Sequence, residues 1–127
     1  MEQDNQAILE NLFGIGPMTL SPEAEYELRA EDYVMEMPQS GERIRGRDTM
    51  RAMQSAFPNP PTIEIRRIVG GGDLFVVEGD STYPPNGDVF FVTDIVEFRD
   101  GRIARETRYY ASPFEPPEWR SAWVEKA

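Results

Sequence analysis

Asp94 stands in the middle of Val89-Phe-Phe-Val-Thr-Asp-Ile-Val-Glu-Phe98, ten residues that otherwise carry strand-forming side chains. A buried carboxylate must find a partner or give up its charge; left unpaired it costs several kcal/mol. Candidate partners lie in the next strand-like stretch, Arg102 to Tyr110, and the turn at Arg99-Asp100-Gly101 decides which of them face Asp94. A three-residue loop sets Phe98 opposite Arg102, Asp94 opposite Glu106, Val92 opposite Arg108 and Phe90 opposite Tyr110. A two-residue Asp-Gly turn shifts every pair by one and brings Arg105, Thr107 and Tyr109 to that face instead. Both faces of Arg102 to Tyr110 mix polar and apolar residues, so periodicity does not choose between the registers.

The elements that hold these residues follow from patterning. Ile8, Leu9, Leu12 and Phe13 share one face of a helix over residues 4–14, which Gly14-Ile-Gly-Pro17 stops. Ser21 caps a second helix over 22–30, with Pro22 in its first turn and Glu23 and Glu25 complementing its dipole. Tyr33 to Pro38 reads as a short strand and Gln39 to Glu42 as a turn. Gly46 to Phe57 is a third helix that presents Met50, Met53 and Phe57 until Pro58 ends it. Four strands follow: Thr62 to Val69, Asp73 to Tyr83, Val89 to Phe98 and Arg102 to Tyr110. Gly70-Gly-Gly72, Pro84-Pro-Asn-Gly87 and Asp100-Gly101 separate them, so they form an antiparallel meander. No Lys-Ser/Thr follows the Gly triplet, which is therefore a hairpin turn and no phosphate loop. Pro113 to Pro117 is rigid, and Glu118 to Glu125 forms a short helix with Trp119 and Trp123 on one face.

Helices first and a sheet second define an α+β fold with helices covering one sheet face. On Val89 to Phe98 the even positions (Phe90, Val92, Asp94, Val96, Phe98) and the odd ones (Val89, Phe91, Thr93, Ile95, Glu97) are both largely apolar. One face meets the helices; the other needs a partner, and the simplest partner is a second copy of the chain.

Bulk properties bound the function. The 127 residues make one domain with a real core. A net charge of −10 argues against nucleic acid and against anionic membranes. The Arg43, Arg45, Arg47, Arg51 run reads as a solvated turn and helix start. With neither cysteine nor histidine, a thiolate nucleophile is excluded and a metal site is not expected. No signal-peptide pattern and no membrane-length apolar run occur, and the lack of cysteine fits the cytoplasm.

The element order, the hairpin FFVTDIVEFRDGRIARETRYY and the helix GRDTMRAMQSAF resemble the nuclear transport factor 2-like superfamily, in particular its SnoaL-like polyketide cyclase branch. That resemblance implies a cone-shaped curved sheet, a pocket between its concave face and the helices, and dimerisation through the convex face. It also favours the three-residue loop, with Asp94, Glu106, Arg108 and Tyr110 facing inward. Asp94 falls where ketosteroid isomerases carry a carboxyl that donates a hydrogen bond to an oxyanion. Met37 stands at the position of their proton-shuttling Asp, and Phe13 near that of their helical Tyr. Arg108 stands about where the epoxide-hydrolase branch places a carboxylate.

On this reading the pocket takes a small apolar or aromatic molecule and performs cofactor-free acid/base chemistry of isomerase, cyclase or dehydratase type. Asp94 is the proton donor or acceptor, Arg108 its orienter or oxyanion partner, and Glu106 and Tyr110 support them. Alternation supplies the wall: Tyr33, Met35 and Met37, then Phe75, Val77 and Ser81, then Phe90 and Val92, with Met53 and Phe57 from the third helix and Trp119 at the mouth. Glu36, Glu78 and Asp80 point outward. The competing reading is a non-catalytic ligand-binding module in which the ion pair only fixes strand register.

Overall fold

The computed structural model describes residues 4–13, 16–19 and 21–127. The elements run α1 (Asn5–Phe13), β1 (Gly16–Thr19), α2 (Pro22–Leu28), β2 (Arg29–Met37), β3 (Glu42–Arg45), α3 (Arg47–Ser55), β4 (Thr62–Gly71), β5 (Leu74–Tyr83), β6 (Asp88–Arg99) and β7 (Arg102–Ala111), with one 3-10 turn at Glu118–Arg120. The class is α+β: a curved, open sheet with helices beside it. The sheet order is β1-β4-β5-β6-β7-β2-β3. Neighbours are antiparallel except β2 and β7, which run parallel.

Several boundaries differ from the sequence reading. Residues 39–45 form a β-hairpin arm with β2, so Arg43 and Arg45 belong to a strand and not to a helix start. The proposed stop at 14–17 becomes in part an edge strand, Gly16–Thr19, where Pro17 is tolerated because its missing N–H faces no neighbour in the sheet interior; Gly14 and Ile15 lie outside the described residues. The second helix ends at Leu28, and the chain enters β2 at once. The helix expected over Glu118–Glu125 is a single 3-10 turn. An eight-residue helix with no apolar surface to dock on does not sustain itself, and Pro116-Pro117 hold the preceding chain extended.

Local chemistry explains the helices. Ser21 Oγ accepts a hydrogen bond from Ala24 N at 3.4 Å, capping α2 as its Ser-Pro start requires. The Tyr26 hydroxyl then donates to Asp48 at 2.8 Å, and Arg47 and Arg51 lie over the Tyr26 ring, which clamps α2 to α3. Ile8, Leu9 and Phe13 bury the inner face of α1. They meet the inward row of the sheet, Tyr33, Met35, Ile65, Phe75, Val77, Val96 and Phe98, in one core.

The β6–β7 hairpin settles the register question with a combination neither option contained. Asp100 and Gly101 both have positive φ (53° and 77°), so the turn has two residues and Arg99 pairs with Arg102. The ladder then runs from Phe98–Ile103 to Glu97–Arg105, so Ala104 is an extra residue in β7. This bulge adds a second one-residue shift in the same direction, which restores the facing of β7 but not the pairing of the three-residue loop. Glu106, Arg108 and Tyr110 therefore share the inward face with Asp94, but Asp94 lies opposite Arg108 and Glu106 lies opposite Val96. Further irregularities in β4 near Arg66 and at the start of β2 supply the bends a curved sheet needs.

Gly79 marks a close approach between β5 and β4: a Cβ there would collide with the Glu64 carbonyl oxygen. Gly79→Ala is expected to lower stability by about 1–3 kcal/mol through this overpacking, read as a drop in the urea midpoint with an unchanged m-value. An unchanged midpoint would mean that β4 and β5 are farther apart than described.

Candidate functional site

A cavity of about 210 Å³ opens between the concave sheet face and helices α1 and α3. Its walls come from Phe13, Met50, Met53, Gln54 and Phe57 above, and from Met35, Met37, Ile63, Ile65, Val77, Gly79, Ser81, Tyr83, Val92, Asp94, Arg108 and Tyr110 below, with Pro61 at the side. Strand alternation delivers the lower set: every second residue of β2, β5, β6 and β7 points inward. Met53 and Phe57 remain partly exposed and form the mouth. Phe57, Tyr83 and Phe90 extend it as a row of rings, stacked at 6.4 Å and edge-on at 5.5 Å.

Beneath the floor lies a buried ionic cluster. Arg108 donates to Glu106 Oε2 through Nε (3.1 Å) and Nη2 (2.8 Å), and its Nε stands 3.3 Å from Asp94 Oδ2. The Tyr33 hydroxyl donates to Glu106 Oε1 at 2.8 Å. Arg29 approaches the same oxygen at 3.8 Å, donates to Glu25 at 2.8 Å and to Gln54 at 3.1 Å, and Gln54 donates to Glu25 at 3.3 Å. The cluster thus contains three carboxyl groups and two guanidiniums, all buried.

That count decides the protonation. With both guanidiniums charged, the cluster is neutral only if one carboxyl keeps its proton. Glu25 has Arg29, and Glu106 has Arg108, Arg29 and Tyr33. Asp94 has one longer contact with Arg108 and a side-chain interaction with Glu106, and its Oδ1 is buried without any hydrogen-bond partner. Desolvation, followed by the nearby Glu106 charge, pushes the Asp94 carboxyl well above its usual range, and Arg108 only partly offsets this. For Glu106, desolvation works in the same direction but is outweighed by Arg108, by the side-chain interaction with Asp94 and by Arg29, so it is held well below the carboxylate range. Burial opposes the charge of Arg108, yet Glu106 and Asp94 keep it protonated. Burial likewise raises the Tyr33 phenol, which remains a donor. The pair of carboxyls has been driven apart, the arrangement that yields one acid and one fixed counter-ion.

Of the residues singled out from sequence, Asp94, Arg108, Tyr110, Met35, Met37, Met53, Phe57, Val77, Ser81 and Val92 line the cavity. Glu106 and Tyr33 do not; they sit behind the floor and bond to each other. Phe75 packs edge-on against Phe98 at 5.9 Å in the core, and Phe90 packs on Tyr83. Trp119 is no mouth residue: it is 75% exposed, because the tail forms no helix that would carry it back. Glu36, Glu78 and Asp80 point outward and pair with Arg105, Arg67 and Arg66. Sequence reasoning missed Arg29, Glu25 and Gln54. The spacing of Glu25 and Arg29 is an i,i+4 pair, but α2 ends at Leu28, so nothing local showed that it would be buried. Among the described residues no cluster of three acidic side chains is arranged to hold a metal ion. No helix of the described residues is long and apolar enough to cross a membrane.

A curved sheet with helices on its concave side and a carboxyl on the floor of the enclosed cavity defines the nuclear transport factor 2-like class. Within it, the chain belongs to the SnoaL-like domain family, whose profile matches residues 22–106. It is similar to an NTF-2-like protein of unknown function from Burkholderia xenovorans LB400 (41% identity over 84% of this chain and 82% of that one, TM-score 0.75). It is also similar to a candidate ketosteroid isomerase from Kribbella flavida DSM 17836 (25% identity, 97% and 89% covered, TM-score 0.81). An LEH-like epoxide hydrolase from M. tuberculosis shares the fold at 21% identity (83% and 77% covered, TM-score 0.63). No curated protein matches the chain.

The cluster makes stability depend on pH in a signed way. A raised native pKa at Asp94 means that the native state holds a proton the unfolded chain releases near pH 4. Asp94 therefore contributes most below that pH, and its contribution is lost as pH rises toward the native pKa, with a slope of about 1.4 kcal/mol per pH unit. Glu106, lowered in the native state, acts oppositely and only at acid pH. Asp94→Asn removes the first slope, so its stability relative to the wild type is expected to rise steadily between pH 5 and 8 in urea titrations. Glu106→Gln leaves Arg108 without its counter-ion and is expected to lose about 3–5 kcal/mol. A pH-independent difference for Asp94→Asn would show that Asp94 is ionised in the fold.

Proposed function

We propose that the chain is a small-molecule enzyme performing cofactor-free acid/base chemistry of isomerase, cyclase or dehydratase type on an apolar, carbonyl-bearing metabolite, with Asp94 as the acid. The observation that carries this reading is the buried Asp94 carboxyl in the lining of a largely apolar cavity, with one of its oxygens lacking any hydrogen-bond partner. A neutral carboxyl there donates a hydrogen bond or a proton to a carbonyl or leaving hydroxyl oxygen, in a dry site where such bonds are worth most. In a dehydration, the carboxylate left after protonating the leaving hydroxyl takes the proton from the adjacent carbon, and Asp94 is restored. Arg108, locked to Glu106, orients Asp94 and limits the charge it develops. Glu106 and Tyr33 hold Arg108 in turn. Tyr110 lines the cavity beside them. The Kribbella protein's description as a candidate ketosteroid isomerase supports a reaction of this class.

The test uses small cyclic ketones and β-hydroxy ketones in D2O, with 1H NMR following loss of the proton next to the carbonyl and loss of water. Wild-type protein is expected to accelerate one of these steps, and Asp94→Asn to lose roughly 10²- to 10⁴-fold of that rate while keeping its fold. An equally fast Asp94→Asn variant would remove Asp94 from the chemistry. The second reading, a non-catalytic binding module, draws support from one feature: among the described residues, no ionised carboxylate free of Arg partners lines the cavity.

We also propose that the chain works as a homodimer through the outer sheet face. Leu74, Val89, Phe91 and Tyr109 are exposed there, and the surrounding charges are mostly paired within the chain. Sedimentation is expected to give twice the 14.5 kDa chain mass, and Phe91→Glu to return the protein to monomer. A monomeric wild type at micromolar concentration would contradict this.

A further inference from the structure

We propose that the cavity selects a neutral ligand of one or two rings whose hydrogen-bond acceptor meets the Asp94 carboxyl, and that it rejects carboxylates and fused four-ring skeletons. This rests on the reading of Asp94 as an acid and adds the class of ligand that the acid would act on.

Size comes first. An apolar protein cavity of roughly 150 Å³ takes benzene, so about 210 Å³ accommodates a substituted ring or a compact pair of rings. A four-ring skeleton has several times the carbon content of benzene and would leave most of its length outside the Met53–Phe57 mouth. The wall is built for shape tolerance and not for polarity. Met35, Met37, Met50 and Met53 supply four flexible thioethers, and Phe13 and Phe57 add ring surface.

Charge comes second. Arg108 is the only cation lining the cavity among the described residues, and Glu106 already binds it through two nitrogens. A carboxylate ligand would add a fourth acidic group to a cluster holding two guanidiniums, and the chain's net charge of −10 opposes it further. A neutral acceptor adds no charge, and it accepts from a protonated Asp94 carboxyl beside the Ser81, Tyr83 and Tyr110 hydroxyls that also line the cavity.

The probes are acetophenone, 1-tetralone, ethylbenzene, benzoate and a four-ring steroid enone, compared by ligand-observed NMR and by thermal shift at neutral pH. Acetophenone and 1-tetralone are expected to bind, with acetophenone roughly three- to tenfold tighter than ethylbenzene. Asp94→Leu is expected to erase that preference, and Val92→Phe to abolish binding of both ketones by filling the cavity. Should Asp94→Leu not fold, the Val92→Phe result and the wild-type ranking still decide. The proposal is overturned if benzoate or the steroid enone displaces acetophenone, if ethylbenzene binds as well as the ketone, or if no ketone binds at millimolar concentration. Because none of these arms reads turnover, ketone binding without chemistry would count against the enzymatic reading alone and leave the ligand class standing.

Discussion

Three carboxyl groups and two guanidiniums share one dry cluster, and the imbalance cannot be absorbed by solvent. Water would screen such a mismatch at the surface for little cost; inside, an unpaired charge is among the most expensive things a fold can hold. The odd proton must therefore reside somewhere, and the geometry leaves Asp94 as its site. Glu106 takes two nitrogens of Arg108 and the Tyr33 hydroxyl, and Glu25 takes Arg29 and Gln54. Asp94 keeps one longer contact with Arg108, its interaction with Glu106 and a buried oxygen without a partner.

The rest of the chain reads as the means of holding that arrangement. β2 lies parallel to β7 and sets Met35 beside Glu106, which lets Tyr33 reach the Glu106 carboxylate. The sharp passage from α2 into β2 carries Arg29 under the floor, where it ties α2, α3 through Gln54, and β7 through Glu106. Of the two helices that roof the cavity, α3 is thus fastened through Gln54 to the same cluster that sets the proton on Asp94. The Ala104 bulge matters as much: without it, the two-residue turn at Asp100-Gly101 would send Arg108 to the outer face.

Much of this was legible in the sequence, and the failures have physical causes. The α+β class and the meander after Pro58 follow from alternation and turn chemistry, whereas both faces of Val89 to Phe98 are largely apolar, so the inward placement of Asp94 rests on the family resemblance alone. The hairpin register did not follow, since a turn type and a bulge are two independent one-residue choices and the mixed polarity of Arg102 to Tyr110 penalises neither. The short strands at Gly16–Thr19 and Glu42–Arg45 carry glycine, proline and arginine. They are strands because a neighbour offers hydrogen bonds, not because their residues favour it. In the sequence Glu25 only complements the dipole of the second helix, and the long-range contacts that enclose it and Arg29, with Gln54 and Glu106, leave no local trace there. The tail aromatics Trp119 and Trp123 had a helical spacing but no surface to pack on.

The central claim is that Asp94 carries a proton at neutral pH inside the folded protein. Infrared spectroscopy of protein labelled with 13C at aspartate carboxyls reads this directly. The account predicts one protonated-carboxyl C=O band at neutral pH that is absent in Asp94→Asn and unchanged in spectra of variants at exposed aspartates. If only carboxylate bands appear at neutral pH, the odd proton is elsewhere and Asp94 is not the acid described above.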